Sequence, residues 1–237
     1  MKRFLIAVVA VGAYLANTSA QSVTSTQDDK VIERFDANNQ VALQALLRFG
    51  FENRIPMGIV LNDRSLCETT IDFKSKNTRL RATLAALISK VPNYNWTIEN
   101  GTVVLRPTAV MQDDLTLLDM MIPRFAAPAG PLKEQRLYLW MDVRAILRPD
   151  EGTILNSLSS EADIKYPPLR LTNMTVEQIL NTLVSRPPYG AWILHPIAND
   201  LRQAVADSEY VTFLPYGEGP SKMEAVSCSS AVIKEDQ

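Results

Sequence analysis

One set of residues returns at a fixed distance along the chain. Leu80, Thr83, Leu84, Leu87 and Ile88 come back as Val176, Ile179, Leu180, Leu183 and Val184, 96 positions later. The same offset carries Lys90 to Arg186, Pro92 to Pro188 and Trp96 to Trp192, with Thr83/Ile179 the visible mismatch. Upstream, Ile32-Glu-Arg-Phe35 is echoed by Ile122-Pro-Arg-Phe125, and Ile71-Asp-Phe73 by Leu169-Arg-Leu171. Any two short amphipathic helices followed by a strand share some pattern. The paired Pro and Trp in one register favour duplication of a folding unit, which makes the chain two copies of one architecture.

The first copy reads strand, helix, strand, strand, helix, hairpin. Val31 to Phe35 is a strand. Asn38 or Asn39 can cap a helix whose Leu43, Leu46, Leu47 and Gly50 share a face. Met57-Gly-Ile-Val60 suits a buried strand, and Thr69 to Lys74 alternates with strand period. Thr78 can cap the helix that carries Leu80 to Ile88. The sharpest local signal is Trp96 to Leu105, with Asn100-Gly101 at its centre. Both central residues of a two-residue hairpin need positive φ, which Asn and Gly tolerate, and the resulting register sets Ile98 opposite Val103 and Trp96 opposite Leu105.

In the second copy, Leu132 to Leu147 is predicted as a helix with Leu132, Leu139, Trp140, Val143 and Leu147 on its apolar side. Thr175-Val-Glu-Gln178 matches a capping box. Asn199 to Ser208 reads as a short helix and Tyr210 to Leu214 as a last strand. The expected fold class is α+β: two tandem small two-layer sandwiches, each with two helices on a small sheet. They occupy residues 31–106 and 120–214, with a linker at 107–119 and a disordered tail at 215–237.

The address is written at the N-terminus. Lys2 and Arg3 precede an apolar run from Phe4 to Ala16, and Thr18-Ser-Ala20 offers a cleavage site before Gln21, so residues 1–20 read as a secretory signal peptide. The run is short for a membrane span, and no later stretch approaches one. Export places the mature chain in the periplasm or outside the cell. There a disulfide is permissible, and Cys67 with Cys228 is the one possible pair. The formal charge of −2, about −4 after cleavage, argues against nucleic acid as a partner.

With these elements in place, Phe35 to Val60 and Thr69 to Leu105 resemble the secretin and TonB N-terminal domain. The resemblance rests on a strand leading into a helix with paired leucines (Leu43, Leu46, Leu47) and a strand with a small residue (Gly58-Ile59-Val60). It continues with the alternating Ile71-Asp-Phe73-Lys, the helix of Thr78 or Thr83 with Leu84 and Leu87, and the closing hairpin. The second copy is similar but looser, with an insertion between Leu147 and Leu169. Both copies together span about 165 residues. The family's domains are interaction modules on outer-membrane channels. This chain has no room for a pore domain or barrel, so the resemblance implies a periplasmic fold that binds a cell-envelope protein partner, possible links being to secretion or transport, and it does not imply transport itself.

Catalytic templates find little support. The single His195 must serve any Ser-His-acid triad, and no Gly-x-Ser-x-Gly elbow exists. Cys67 as a nucleophile would need His195 from the other copy. One His excludes metal sites that require two imidazoles, and the chain has no Gly-rich phosphate loop. The acid pairs Asp28-Asp29, Asp113-Asp114, Asp150-Glu151 and Glu161/Asp163 fall in predicted loops, where solvated charge is the ordinary explanation. The expectation is therefore a non-enzymatic interaction module with no catalytic, cofactor-binding or metal site. The alternative from another class is a hydrolase of cell-envelope polymer, which requires Glu161, Asp163 and His195 to converge in one cleft.

Overall fold

The structure is a computed structural model that describes residues 30–61, 65–109, 116–150, 164–195 and 211–218. The fold is α+β. Its first copy contains β1 (Val31–Val41), α1 (Ala42–Asn53), β2 (Met57–Val60), α2 (Ser65–Glu68), β3 (Thr70–Arg79), α3 (Leu80–Ile88), β4 (Tyr94–Glu99) and β5 (Thr102–Pro107). The second contains β6 (Met121–Ala127), α4 (Leu132–Leu147), β7 (Leu169–Thr175), α5 (Val176–Val184), β8 (Gly190–Leu194) and β9 (Val211–Pro215).

The two halves match in local backbone geometry. Helices α3 and α5 start and stop at the same 96-residue offset. Positive φ recurs with them: Asn77 at 50° and Asn173 at 53°, then Asn93 at 63° and Tyr189 at 70°. The outer antiparallel pairs share one register as well. Ile32 opposes Thr78 and Phe35 opposes Ser75 in β1–β3, while Ile122 opposes Met174 and Phe125 opposes Leu171 in β6–β7. Ala37 opposes Phe73 and Ala127 opposes Leu169, so the structural mate of Leu169 is Phe73, two positions from the Ile71 that sequence comparison suggested.

The copies are not two separate sandwiches. A single five-stranded sheet, in the order β4-β5-β2-β8-β9, runs through both. Strand β2 of the first copy pairs in parallel with β5 on one side and with β8 of the second copy on the other. Side chains alternate across such a sheet. Met57, Ile59, Val103, Leu105, Ala191 and Ile193 join the core built by α1 and α3, and Val60, Val104, Trp192 and Leu194 join the core built by α4 and α5. The predicted division at 107–119 therefore separates two helical layers and not two sheets. Buried on both faces, β2 and β8 carry apolar residues without alternation, as inner strands do.

The hairpin forms as expected. Asn100 has φ 50° and Gly101 has φ 80°, with Trp96 opposite Leu105 and Ile98 opposite Val103. The capping box at Thr175 forms, Gln178 N–H donating to Thr175 Oγ1 and Thr175 N–H to Gln178 Oε1. Two expected caps do not. Strand β1 continues through Asn38 and Asn39 to Val41, and α1 begins at Ala42 without a side-chain cap. Thr78 stays in the β1–β3 ladder, which leaves Arg79 as the N-cap of α3.

Residues 215–218, assigned from sequence to a disordered tail, are structured. Pro215 ends β9, and the buried Tyr216 donates its hydroxyl to the Ile55 carbonyl at 2.9 Å while its ring meets Phe51 edge-on. Cys67 is disulfide-bonded, and Cys228, the other cysteine of the chain, lies outside the described residues. So do the signal segment and the predicted helix at 199–208.

Candidate functional site

Two edges end the five-stranded sheet, and their chemistry differs. In the β4–β5 hairpin the two-residue turn makes Glu99 and Thr102 the closing pair. Antiparallel hydrogen bonding alternates from such a closing pair, so Thr97 and Asn95 bond inward to β5, while the backbone groups of Trp96 and Ile98 point away from it. Val103 N–H donating to the Pro56 carbonyl at 2.9 Å on the far side of β5 fixes the same alternation. Strand β4 contains no proline and no cation. It presents half-buried Trp96 and Ile98 on the face of α3, where the Arg81 guanidinium lies 5.9 Å from the Trp96 ring centre, and exposed Asn95 and Thr97 on the other.

The opposite edge is blunted. Tyr216 N–H donates to the Tyr189 carbonyl, so Leu214 and Thr212 face β8 and Val211, Phe213 and Pro215 face outward. Pro215 has no N–H to offer, and the Val211 carbonyl is taken by Arg136 Nη1 at 2.8 Å. Proline and edge-capping cations are common means of closing a sheet to further pairing.

Arg106 of β5 joins the copies at one point. It pairs with Glu177 in the first turn of α5 and lies 3.6 Å from Glu99. Burial holds the Glu177 carboxyl above its ordinary range; Arg106 opposes that rise, and Glu99 and Asp119 add to it. Nearby, Trp192 Nε1 donates to Asn181 Oδ1 at 2.8 Å, and the indole lies against Gly58, where a Cβ would stand 2.3 Å from the ring.

Of the residues weighed for chemistry, His195, Cys67 and Asp150 lie among the described residues. His195 is buried at the end of β8, its Nε2 2.9 Å from Thr212 Oγ1, and burial lowers its pKa. Glu161 and Asp163 lie outside the described residues, as do Asp28, Asp29, Asp113, Asp114 and Glu151; Asp150 is exposed. Cys67 is tied up in its disulfide. No cluster of His, Cys, Asp and Glu suited to a metal occurs among the described residues, and no described helix is long and apolar enough to cross a membrane. Sequence reasoning found the hairpin but not its position at the end of the sheet, because strand order is decided by which long-range partners take β2. The lone Pro215 at the end of the last strand was the available sign of the closed edge.

Comparison with protein families, with curated proteins and with solved structures returns no match.

Proposed function

We propose that the protein is a non-enzymatic interaction module of the cell envelope, exported behind a cleaved signal peptide, which binds a protein partner by adding a strand to β4. The β4 edge, which carries neither proline nor cation and pairs with no further strand among the described residues, carries this reading, set against the blunted β9 edge of the same sheet. Main-chain hydrogen bonds to an edge supply affinity, and alternate side-chain positions supply selectivity. A partner strand would bond to the outward groups of Trp96 and Ile98, with apolar residues on the Trp96 face and polar residues on the Thr97 face. The element order of the first copy supports a likeness to the secretin and TonB N-terminal domain, whose members act as such modules.

The test is photocrosslinking in cells from a probe at Thr97. A discrete adduct is expected. Trp96→Pro removes the outward N–H without touching the β4–β5 ladder and should abolish it, while Trp96→Phe should retain it. An adduct formed equally by the proline variant overturns strand addition at this edge.

A further inference from the structure

The antiparallel β1–β3 pair carries a groove of about 380 Å³ lined by Arg34, Asp36, Lys74, Ser75 and Lys76. Three cations share one carboxylate, and Asp36 is already held by Arg34 at 2.5 Å. Arg34 stands directly opposite Lys76 in the ladder, a like-charge pair that costs stability unless an anion lies between its members. Lys74 stands opposite Asp36 in the same ladder, yet among the described residues neither lysine ammonium lies within ion-pair distance of a carboxylate. The chain as a whole is acidic, so this patch runs against its net charge.

The second copy shows which part belongs to the fold. At the equivalent places it keeps Arg124 and Arg170 but has Ala126 for Asp36, Leu171 for Ser75 and Thr172 for Lys76. The aspartate and the pair of lysines are therefore peculiar to the first copy.

We infer that this groove docks an acidic, extended segment of a protein, with carboxylates at alternate positions. Lys74 and Lys76 are two residues apart on one strand face, a repeat of roughly 7 Å. An extended chain laid along β3 presents its own alternate side chains at that same repeat. Asp36 in the lining separates the cations, which suits two spaced monoanions and disfavours one compact, doubly charged phosphate placed against it. The inference uses no property of β4 and stands or falls independently of strand addition there.

The test uses the mature full-length chain and a fluorescent threonine-rich peptide bearing Asp or Glu at alternate positions. Binding is expected at low salt, weakening as salt rises. The Asn/Gln version of the peptide should not bind. Lys74→Gln with Lys76→Gln should weaken binding about tenfold, and Arg124→Gln with Arg170→Gln should leave it unchanged. These exposed positions tolerate glutamine, and an unchanged circular dichroism melt confirms that each variant is folded. Equal binding of the amide peptide, or indifference to the lysine variants, overturns the inference. So does displacement of the peptide by equimolar inorganic phosphate, or binding to anionic phospholipid vesicles without binding to the peptide; these outcomes would assign the groove to phosphate or to a membrane surface.

Discussion

Trp96 and Trp192 occupy the same position in their respective copies and live in different surroundings. Trp96 is half-buried on the outermost strand, with a guanidinium above its ring. Trp192 is fully buried in the middle of the sheet, its N–H satisfied by Asn181 and its ring pressed on Gly58 of the other copy. The local unit is the same, down to positive φ at matched positions. What differs is the choice of neighbour. In the first copy the hairpin joins β2 through its second strand, and in the second copy through its first. One short strand is thereby used twice, and the first copy is left with the exposed edge.

The largest effects should come from breaking the two cores separately. Leu84 and Leu180 are equivalent, buried and in different cores. Leu→Ala at either should cost roughly 2–5 kcal/mol. Because the sheet is shared, each variant should lower one common thermal transition, whereas two resolved transitions would show that the copies unfold apart. Gly58→Ala probes the contact between copies and should cost about 1–3 kcal/mol by overpacking. Trp192→Phe should relieve part of that cost, giving a coupling in a double-mutant cycle measured by urea denaturation.

The hairpin is the next target. Gly101→Val places a β-branched residue at φ 80° and should cost roughly 1–3 kcal/mol, read as a lowered melting midpoint. The helix caps differ between copies and provide a finer contrast. Thr175→Ala should cost about 1 kcal/mol, while Thr78→Ala, which removes no cap, should cost far less; equal losses would contradict the cap assignment.

The smallest effect concerns His195, whose equivalent in the first copy is Glu99. Burial lowers the folded-state pKa of His195 below 6.5, so the unfolded chain binds a proton that the folded chain does not. This component of stability is present above about pH 6.5 and is lost as pH falls through that value toward the folded pKa. His195→Asn should therefore flatten the decline in melting temperature between about pH 7 and about pH 5.

The legible parts of the fold were those decided within a few residues. Asn100-Gly101 set its own register, and Thr175 with Gln178 announced a cap that exists. The amphipathic spacing of Leu80 to Ile88 and Val176 to Val184 matched the helix bounds. The misread parts depended on distant neighbours. Asn39 is a competent cap, yet β3 pairs along β1 beyond it and holds it in a strand. Thr78 has the side chain of a cap, but the ladder partner Ile32 keeps it extended. Met57 to Val60 and Trp192 to Leu194 announce burial on both faces without naming the strand on either side, so the shared sheet was invisible. Gln135 shows the same limit: it is buried on the apolar side of α4 because its amide donates to the carbonyls of Pro128 and Pro167, which only the fold brings there.

The pairing of β2 with β8 has a consequence for assembly. Met57 meets Ala191, far down the chain, so β2 gains its second neighbour only after nearly all of the second copy has been made. Non-local pairing of this kind slows folding and leaves a hydrophobic strand edge uncovered in the meantime. A chain delivered N-terminus first would hold its leading half with β2 bare on one side until the trailing half arrives, and during that interval the vulnerable edge is the one that ends up at the centre of the molecule.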